Sequence, residues 1–185
     1  FGEHPYGRPI DGTLGSIGDI TADDLRGFVA SRFARDKLIV GAVGDITAAE
    51  LADMLDRIFG DLPEKTPQPV PDNAKTAAEG ETYVVQMDIP QSVVVFGQQG
   101  IRRDSPDYYA AYVMNYILGG GGFSSRLYTE VREKRGLAYS VYSYLNPMQR
   151  AALISGGVAT RNDQVAQSIA LIREEWGRMR ETGAS

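Results

Sequence analysis

The chain has 185 residues, a formal net charge of −5 and a charged fraction of 23%. These values are ordinary for a globular protein with a sizeable core, and the acidic balance argues against a nucleic-acid surface. The absence of cysteine excludes disulfides and thiolate chemistry, and no apolar run approaches the roughly 20 residues that a membrane span requires.

The first third of the chain is predicted to form a loop, two helices and a strand. Residues 1–20 are rich in glycine and proline, which indicates loop. Thr21 and Thr47 each precede an acidic residue by three positions, the pattern of a capping box at a helix start. The apolar run 37–45 predicts a buried strand. The second helix carries an apolar stripe that predicts packing of one face on a core, formed by Leu51, Met54, Leu55, Ile58 and Phe59.

A change of composition then divides the chain. Residues 62–80 contain four of the nine prolines and lack an apolar period, which predicts a partly extended linker. We therefore expect one structural unit at 1–61 and a second at 81–185. The chain starts without methionine and stops just past a helix, so we expect it to be a truncated part of a longer protein.

The second unit mixes strands and helices. The patterns predict strands at 82–87, 92–98, 137–145 and 151–156, and helices at 106–118, at 124–134 and from Asn162 or Asp163 onward. Gly136 is placed to cap the middle helix. Segments 38–59 and 152–176 share one predicted order of elements: strand, glycine turn, polar cap and amphipathic helix. This is a weak internal similarity. The predicted fold class is α+β, with two-layer units of helices on one face of a sheet.

The run Gly119–Gly122 invites a comparison with phosphate-binding loops. A Walker loop continues with a lysine and a hydroxyl residue after a strand, whereas this run ends in "GFSSR" and follows a helix. Nucleotide binding is therefore disfavoured. The run suits either a flexible connection between helices or a mobile loop facing a ligand, and composition alone favours the connection.

Arg132 and Tyr139 lie seven residues apart, at a helix end and in the strand that follows the Gly136 turn. The chain folds back between them, so a guanidinium and a phenol could converge on a carbonyl or oxyanion. The chemistry alone favours simpler roles, an arginine facing the helix dipole and a strand tyrosine. His4 is the only histidine and cannot form a two-histidine metal site. A role in orienting its loop through hydrogen bonds is therefore favoured over metal ligation.

Two long stretches of the sequence resemble a known family. "HPYGRPIDGTLGSIGDITADDLRGFVASRFARDKLIVGAVGDIT" resembles the latter half of the first domain of pitrilysin/insulinase-type zinc metallopeptidases, a group that includes the subunits of mitochondrial processing peptidase. "LGGGGFSSRLYTEVREKRGLAYSVYSY" resembles the signature of their second domain. The resemblance covers nearly the whole chain. It implies homologous α+β domains, joined by a linker, that close like a clamshell on an unfolded peptide.

The resemblance also assigns site residues. The family's zinc motif, H-x-x-E-H with a distant Glu, belongs to the first domain upstream of Phe1, and this sequence does not contain it. The second domain supplies an Arg and a Tyr seven residues apart, matched by Arg132 and Tyr139, which contact the substrate backbone and help hold the oxyanion. Gly119–Gly122 and Phe123 would belong to the same substrate-facing wall.

The resemblance implies an extended peptide as substrate and zinc held by the parent protein or by a partner chain, with none in this fragment. A homo- or heterodimer with a zinc-bearing chain and a periplasmic location are expected on the same ground. A different reading is a non-catalytic interaction or assembly module built on the same fold. A third is a generic ligand-binding module, which would accept a small molecule and ignore extended peptides.

Overall fold

The structure is a computed structural model that forms two compact units. One unit comprises residues 6–72, and the other comprises residues 73–185 together with residues 1–5. The structure describes residues 1–66, 71–76 and 80–184.

Three helices form the regular part of unit 6–72: α1 (Leu14–Gly18), α2 (Ala22–Arg32) and α3 (Ala48–Phe59). Both predicted capping boxes are confirmed. The amide of Thr21 donates to the Asp24 carboxylate and the amide of Thr47 donates to the Glu50 carboxylate, each at 2.9 Å. Hydrogen bonds from the threonine side chains, and then from these amides, lower the pKa of both carboxyls below their usual values.

The predicted strand at 37–45 is wrong. A short 3-10 turn, Arg35–Lys37, is followed by irregular backbone, and Ile39 is 95% exposed. A strand needs a neighbouring strand to satisfy its amides and carbonyls. The described residues of this unit contain no strand that could pair with it.

The predicted packing of α3 on a core is also wrong. No residue of α3 is buried, and Ile58 on the apolar stripe is 57% exposed. An amphipathic helix buries its apolar face only against other elements. In the described part of unit 6–72, only Ala34 is buried among the hydrophobic residues.

The predicted linker has backbone hydrogen bonds within each of the two units. The backbone amides of Arg35 and Asp36 donate to the carbonyls of Pro63 and Glu64, within unit 6–72. In the other unit, the amide of Ala74 donates to a carbonyl at 2.7 Å. Residues 67–70 and 77–79 of the predicted linker lie outside the described residues.

The unit of residues 73–185 is built on a three-stranded antiparallel sheet. Its strands are β1 (Gln91–Gln99), β2 (Ala138–Pro147) and β3 (Ala152–Arg161), in the order β1-β3-β2. The predicted strands at 92–98, 137–145 and 151–156 are confirmed, with β3 longer than predicted. The predicted strand at 82–87 is wrong, because that segment is irregular and its valines are more than 80% exposed.

Helical segments cover one face of this sheet. They are α4 (Tyr108–Asn115), two π-helical turns (Tyr116–Gly120 and Tyr128–Glu133), a 3-10 turn (Gly122–Ser124) and α5 (Val165–Thr182). Val94 and Phe96 of β1 pack on the core beneath these segments, whereas Val93 and Val95 are 70% and 78% exposed. The strand therefore alternates as expected for a sheet with one covered face. The predicted α+β class with helices on one face is confirmed.

The core lies between the sheet and its helices. It combines residues of the helical turns, β2, β3 and α5: Leu118, Leu127, Val131, Leu137, Ala138, Val141, Val158, Leu171, Ile172 and Met179. Phe96 and Trp176 meet edge to face at its margin, with ring centroids 5.8 Å apart. The packing of these core residues fixes the start of β2 against the two π-helical turns. No described helix is long and apolar enough to cross a membrane.

Candidate functional site around Arg132 and Tyr139

Arg132 lies in the second π-helical turn, and Gly136 reverses the chain after it. Gly136 has a φ of +60°, which a glycine adopts without the steric cost of a Cβ atom. Its amide donates to the carbonyl of Arg132 at 2.8 Å, and the amide of Leu137 donates to the carbonyl of Val131 at 3.0 Å. These bonds close the helical end and lead directly into β2, which confirms the predicted cap.

Tyr139 projects from an irregularity at the start of β2. Ala138 pairs with Thr160 and Ser140 pairs with Ala159, so Tyr139 is an extra residue on its strand. A bulge of this kind leaves one residue unpaired and redirects its side chain. Tyr139 is 80% exposed, although Ala138 beside it is buried. The bulge therefore presents the phenol at the surface.

The structure brings Arg132 and Tyr139 together. The central carbon of the Arg132 guanidinium lies 5.1 Å from the centre of the Tyr139 ring and 4.7 Å from the centre of the Tyr128 ring. Phe123 is a third ring, at 5.9 Å. We call Phe123, Tyr128 and Tyr139 the aromatic cage. Each ring face attracts the cation, so the cage holds Arg132 at the surface.

Glu130, two residues before Arg132 in the same turn, is paired with other residues. Glu130 accepts hydrogen bonds from Lys134 and from Arg135, each at 2.6 Å. These two bonds, Lys134 first, hold the pKa of the Glu130 carboxyl below its usual value. Among the described residues, Arg132 has no ion pair and no hydrogen-bond acceptor. Its N–H donors are thus not committed to a carboxylate in this part of the chain.

The glycine run packs closely on the sheet. Gly119 is buried, and a Cβ atom there would lie 2.5 Å from the Ser143 hydroxyl and 2.7 Å from the Ser143 amide nitrogen. Cβ atoms at Gly120 and Gly121 would likewise meet other atoms at 2.7 Å. Gly122 has open space but a φ of +59°. The run therefore docks the helical segment on β2, and its predicted contact with substrate stays a prediction.

Residues that the sequence analysis did not identify support the packing of the glycine run on β2. Asn115 donates to the Ser143 carbonyl at 3.2 Å and accepts from the Ser143 hydroxyl at 2.8 Å, with both side chains buried. Tyr128 supplies the ring that lies nearest to Arg132. Its position four residues before Arg132 was the available signal, because that spacing places two residues on one helical face. The Asn115–Ser143 pair spans 28 residues and left no local signal.

The residues present do not fit a zinc site. The sequence has one histidine and no cysteine. Within the described ranges, no group of three His, Cys, Asp or Glu side chains could hold a metal ion. Zinc sites in proteins use mainly histidine and cysteine ligands, commonly three or four.

Comparison with known structures agrees with the observed fold. A peptidase M16 inactive domain from Pseudomonas fluorescens superposes with a TM-score of 0.83 at 33% sequence identity, over 97% of this chain and 43% of that chain. A conserved protein from Enterococcus faecalis superposes with a TM-score of 0.75 at 24% identity, which bears on the fold alone.

Curated relatives carry related descriptions. An uncharacterized zinc protease of Streptomyces coelicolor is 33% identical over 99% of this chain, and a non-peptidase homolog, YmxG, of Helicobacter pylori is 32% identical over 94%. The chain spans about two-fifths of the length of these relatives, 41% and 40%. The model of the peptidase M16 inactive domain matches residues 19–185. The resemblance to the zinc metallopeptidases is confirmed, and the chain belongs to the family of peptidase M16 inactive domains.

Proposed function

We propose that this chain is the metal-free, substrate-contacting part of a zinc metallopeptidase, and that Arg132 and Tyr139 bind the backbone of an extended peptide. The observation that carries the proposal is the placement of the two side chains. An exposed phenol lies beside a guanidinium whose donors have no acceptor among the described residues. Such a pair offers charged and neutral hydrogen bonds to one peptide carbonyl.

The chemistry assigned to the pair is electrostatic. As a peptide bond is attacked, negative charge grows on its carbonyl oxygen, and donors placed beforehand stabilise that charge. The Arg132 guanidinium supplies a permanent positive charge and the Tyr139 hydroxyl supplies a second donor. The exposed Phe123, at the end of the glycine run, would contact the same peptide. The attacking group and any metal belong to another domain or chain in this proposal.

The remaining partners follow from the same proposal. Zinc is held elsewhere in the parent protein or on a partner subunit, and the chain works within a homo- or heterodimer. The relatives named as zinc proteases, and the short share of their length that this chain covers, support this arrangement. A periplasmic location is part of the proposal by family resemblance.

Two substitutions test the pair in the assembly that includes the zinc-bearing domain or subunit, with fluorescein-labelled casein as the extended substrate. Tyr139→Phe removes one hydroxyl from an 80% exposed side chain and should leave folding intact. It should lower turnover by about 10²–10³-fold, the usual cost of one oxyanion donor. Arg132→Ala should lower turnover and also weaken casein binding, because a charged donor is lost.

Matched controls separate these effects from general damage. Tyr144→Phe removes a hydroxyl from the same strand, from a side chain 47% exposed, and should retain normal turnover. Thermal melts of all variants report folding. Near-normal cleavage by both Tyr139→Phe and Arg132→Ala would contradict the proposal. A loss of activity that merely follows a loss of melting temperature would contradict it as well.

The alternative is a non-catalytic interaction or assembly module on the same fold. One observation favours it, the description of the H. pylori relative as a non-peptidase homolog. This alternative expects no H-x-x-E-H motif in the assembly and no casein cleavage by it. It also expects that Arg132→Ala alters association with a partner rather than turnover. Size-exclusion chromatography of the variant with its partner distinguishes the two functions.

A further inference from the structure

We infer that Phe123 and Tyr128 are positioning residues: their rings hold the Arg132 guanidinium in place and leave its N–H donors free for the peptide. The inference rests on the proposed function, because it concerns the same site. It goes further by assigning the two rings a role in setting where the arginine lies.

The geometry of the aromatic cage supports this role. Tyr128 and Phe123 meet edge to face, with ring centroids 4.9 Å apart and an interplanar angle of 85°. Each ring also lies under the Arg132 guanidinium. A ring attracts the cation through its face, whereas the five N–H donors of a guanidinium point outward in its own plane. The rings can thus fix the cation without consuming its hydrogen bonds.

Three other arginines of this unit are held by carboxylates, while Arg103 lies over the Tyr108 ring at 4.8 Å and also donates to the Tyr108 hydroxyl at 3.0 Å. The three guanidinium groups donate to nearby carboxylates at 2.6–3.0 Å, in the pairs Arg102–Asp104, Arg135–Glu130 and Arg161–Asp163. A carboxylate neutralises the charge and occupies the donors that a substrate would need. Arg132 has ring contacts instead, within the residues that the structure describes. This difference is what a substrate-binding arginine requires.

The two rings are themselves fixed by the fold. Phe123 lies in the 3-10 turn Gly122–Ser124, immediately after the glycine run that docks on Ser143. Tyr128 lies in the same π-helical turn as Arg132, and its backbone amide donates to the hydroxyl oxygen of the buried Ser125 at 3.4 Å. The docked glycines therefore place Phe123, and the π-helical turn places Tyr128.

Kinetics of the full assembly on labelled casein test the inference. Tyr128→Leu should lower kcat about 5- to 30-fold with a smaller change in KM, the range expected for a lost cation–π contact. Tyr128→Phe keeps the ring and should retain near-normal kcat. Tyr112→Leu removes an exposed ring from α4, outside the site, and should have no effect. Phe123→Leu should lower kcat less than Tyr128→Leu, because its ring is farther from the cation, and the loss of its proposed peptide contact should appear as a rise in KM.

A second measurement does not depend on activity. In this 185-residue chain, the side-chain NMR signals of ¹⁵N-labelled Arg132 should be shifted by the neighbouring rings. Tyr128→Leu should move them toward values for a free arginine, and Tyr128→Phe should leave them in place. If Arg132→Ala cleaves casein normally, the proposed function fails, and the NMR result alone decides whether the rings hold the arginine.

Three results would overturn the inference. The first is a further loss of kcat when Tyr128→Leu is added to Arg132→Ala, since residues that act through one group should not add. The second is a loss of kcat in Tyr128→Leu that is fully accounted for by the lower melting temperature of this variant. The third is an Arg132 NMR signal that Tyr128→Leu leaves unchanged.

Discussion

Gly119 has no room for a side chain, because the backbone and hydroxyl of Ser143 and the Leu127 side chain occupy the space where a Cβ atom would lie. The distance to the Ser143 amide nitrogen would be 2.7 Å, and backbone atoms cannot move aside as a flexible side chain can. We therefore expect Gly119→Ala to lower the free energy of unfolding by about 1–3 kcal/mol. Urea unfolding of the variant measures this change.

Gly177 is the matched control for that substitution. It lies inside α5, and a Cβ atom there would meet nothing within 4 Å. Gly177→Ala should raise the free energy of unfolding by about 0.5–1 kcal/mol, because alanine loses less backbone freedom in a helix. Equal effects of the two substitutions would show that the glycine run is a loosely packed connection after all.

Sequence spacing predicted one contact of Arg132 and missed another. The seven-residue interval and the Gly136 turn predicted that Arg132 and Tyr139 could converge, and the structure places the guanidinium 5.1 Å from the ring centre. The Phe123 contact was not predictable in the same way. It depends on how the glycine run packs on a strand that comes later in the chain.

At the scale of the element, the capping box of α3 gives a pH-dependent helix start. The pKa of the Glu50 carboxyl is lowered from its usual 4.5, first by the Thr47 hydroxyl and then by the Thr47 amide. A lowered pKa in the folded state means that the cap stabilises α3 above pH 4.5 and that this contribution is lost as pH falls through the lowered value. The first turn of α3 should therefore fray in acid.

Amide NMR signals of the first turn of α3 measure this fraying between about pH 6 and about pH 3. Glu50→Gln keeps a side-chain oxygen that accepts from the Thr47 amide but removes the titrating group. The variant should show a flatter pH response at this turn, while α2, with its own Thr21–Asp24 box, should respond as before. An identical acid response of α3 in both proteins would exclude Glu50 as the cause.

At the scale of the whole molecule, composition predicts that the isolated chain binds no zinc in stoichiometric amount. One histidine and no cysteine leave carboxylates as the other ligands, and these suit harder cations. Elemental analysis after incubation with zinc and dialysis into zinc-free buffer should find far less than one zinc per chain. His4→Ala should not change the value. One tightly held zinc per chain would contradict this prediction and the proposal that the metal lies elsewhere.

The sequence by itself determined the features that depend on near neighbours. The capping boxes at Thr21 and Thr47 and the Gly136 cap were all predictable, because each uses groups close together in the chain. The family was also evident from contiguous motifs. The tertiary structure alone decided which apolar segments become strands.

Two segments with the same local pattern show the reason. Residues 38–59 and 152–176 both predict a strand, a turn and a helix, but only the second begins with a strand in the structure. β3 lies between β1 and β2 and exchanges hydrogen bonds with both. Residues 38–43 find no such neighbours among the described residues. Strand formation and the packing of the glycine run depend on partners that are distant in the chain. The hydrogen-bond partners of caps and turns lie only a few residues away.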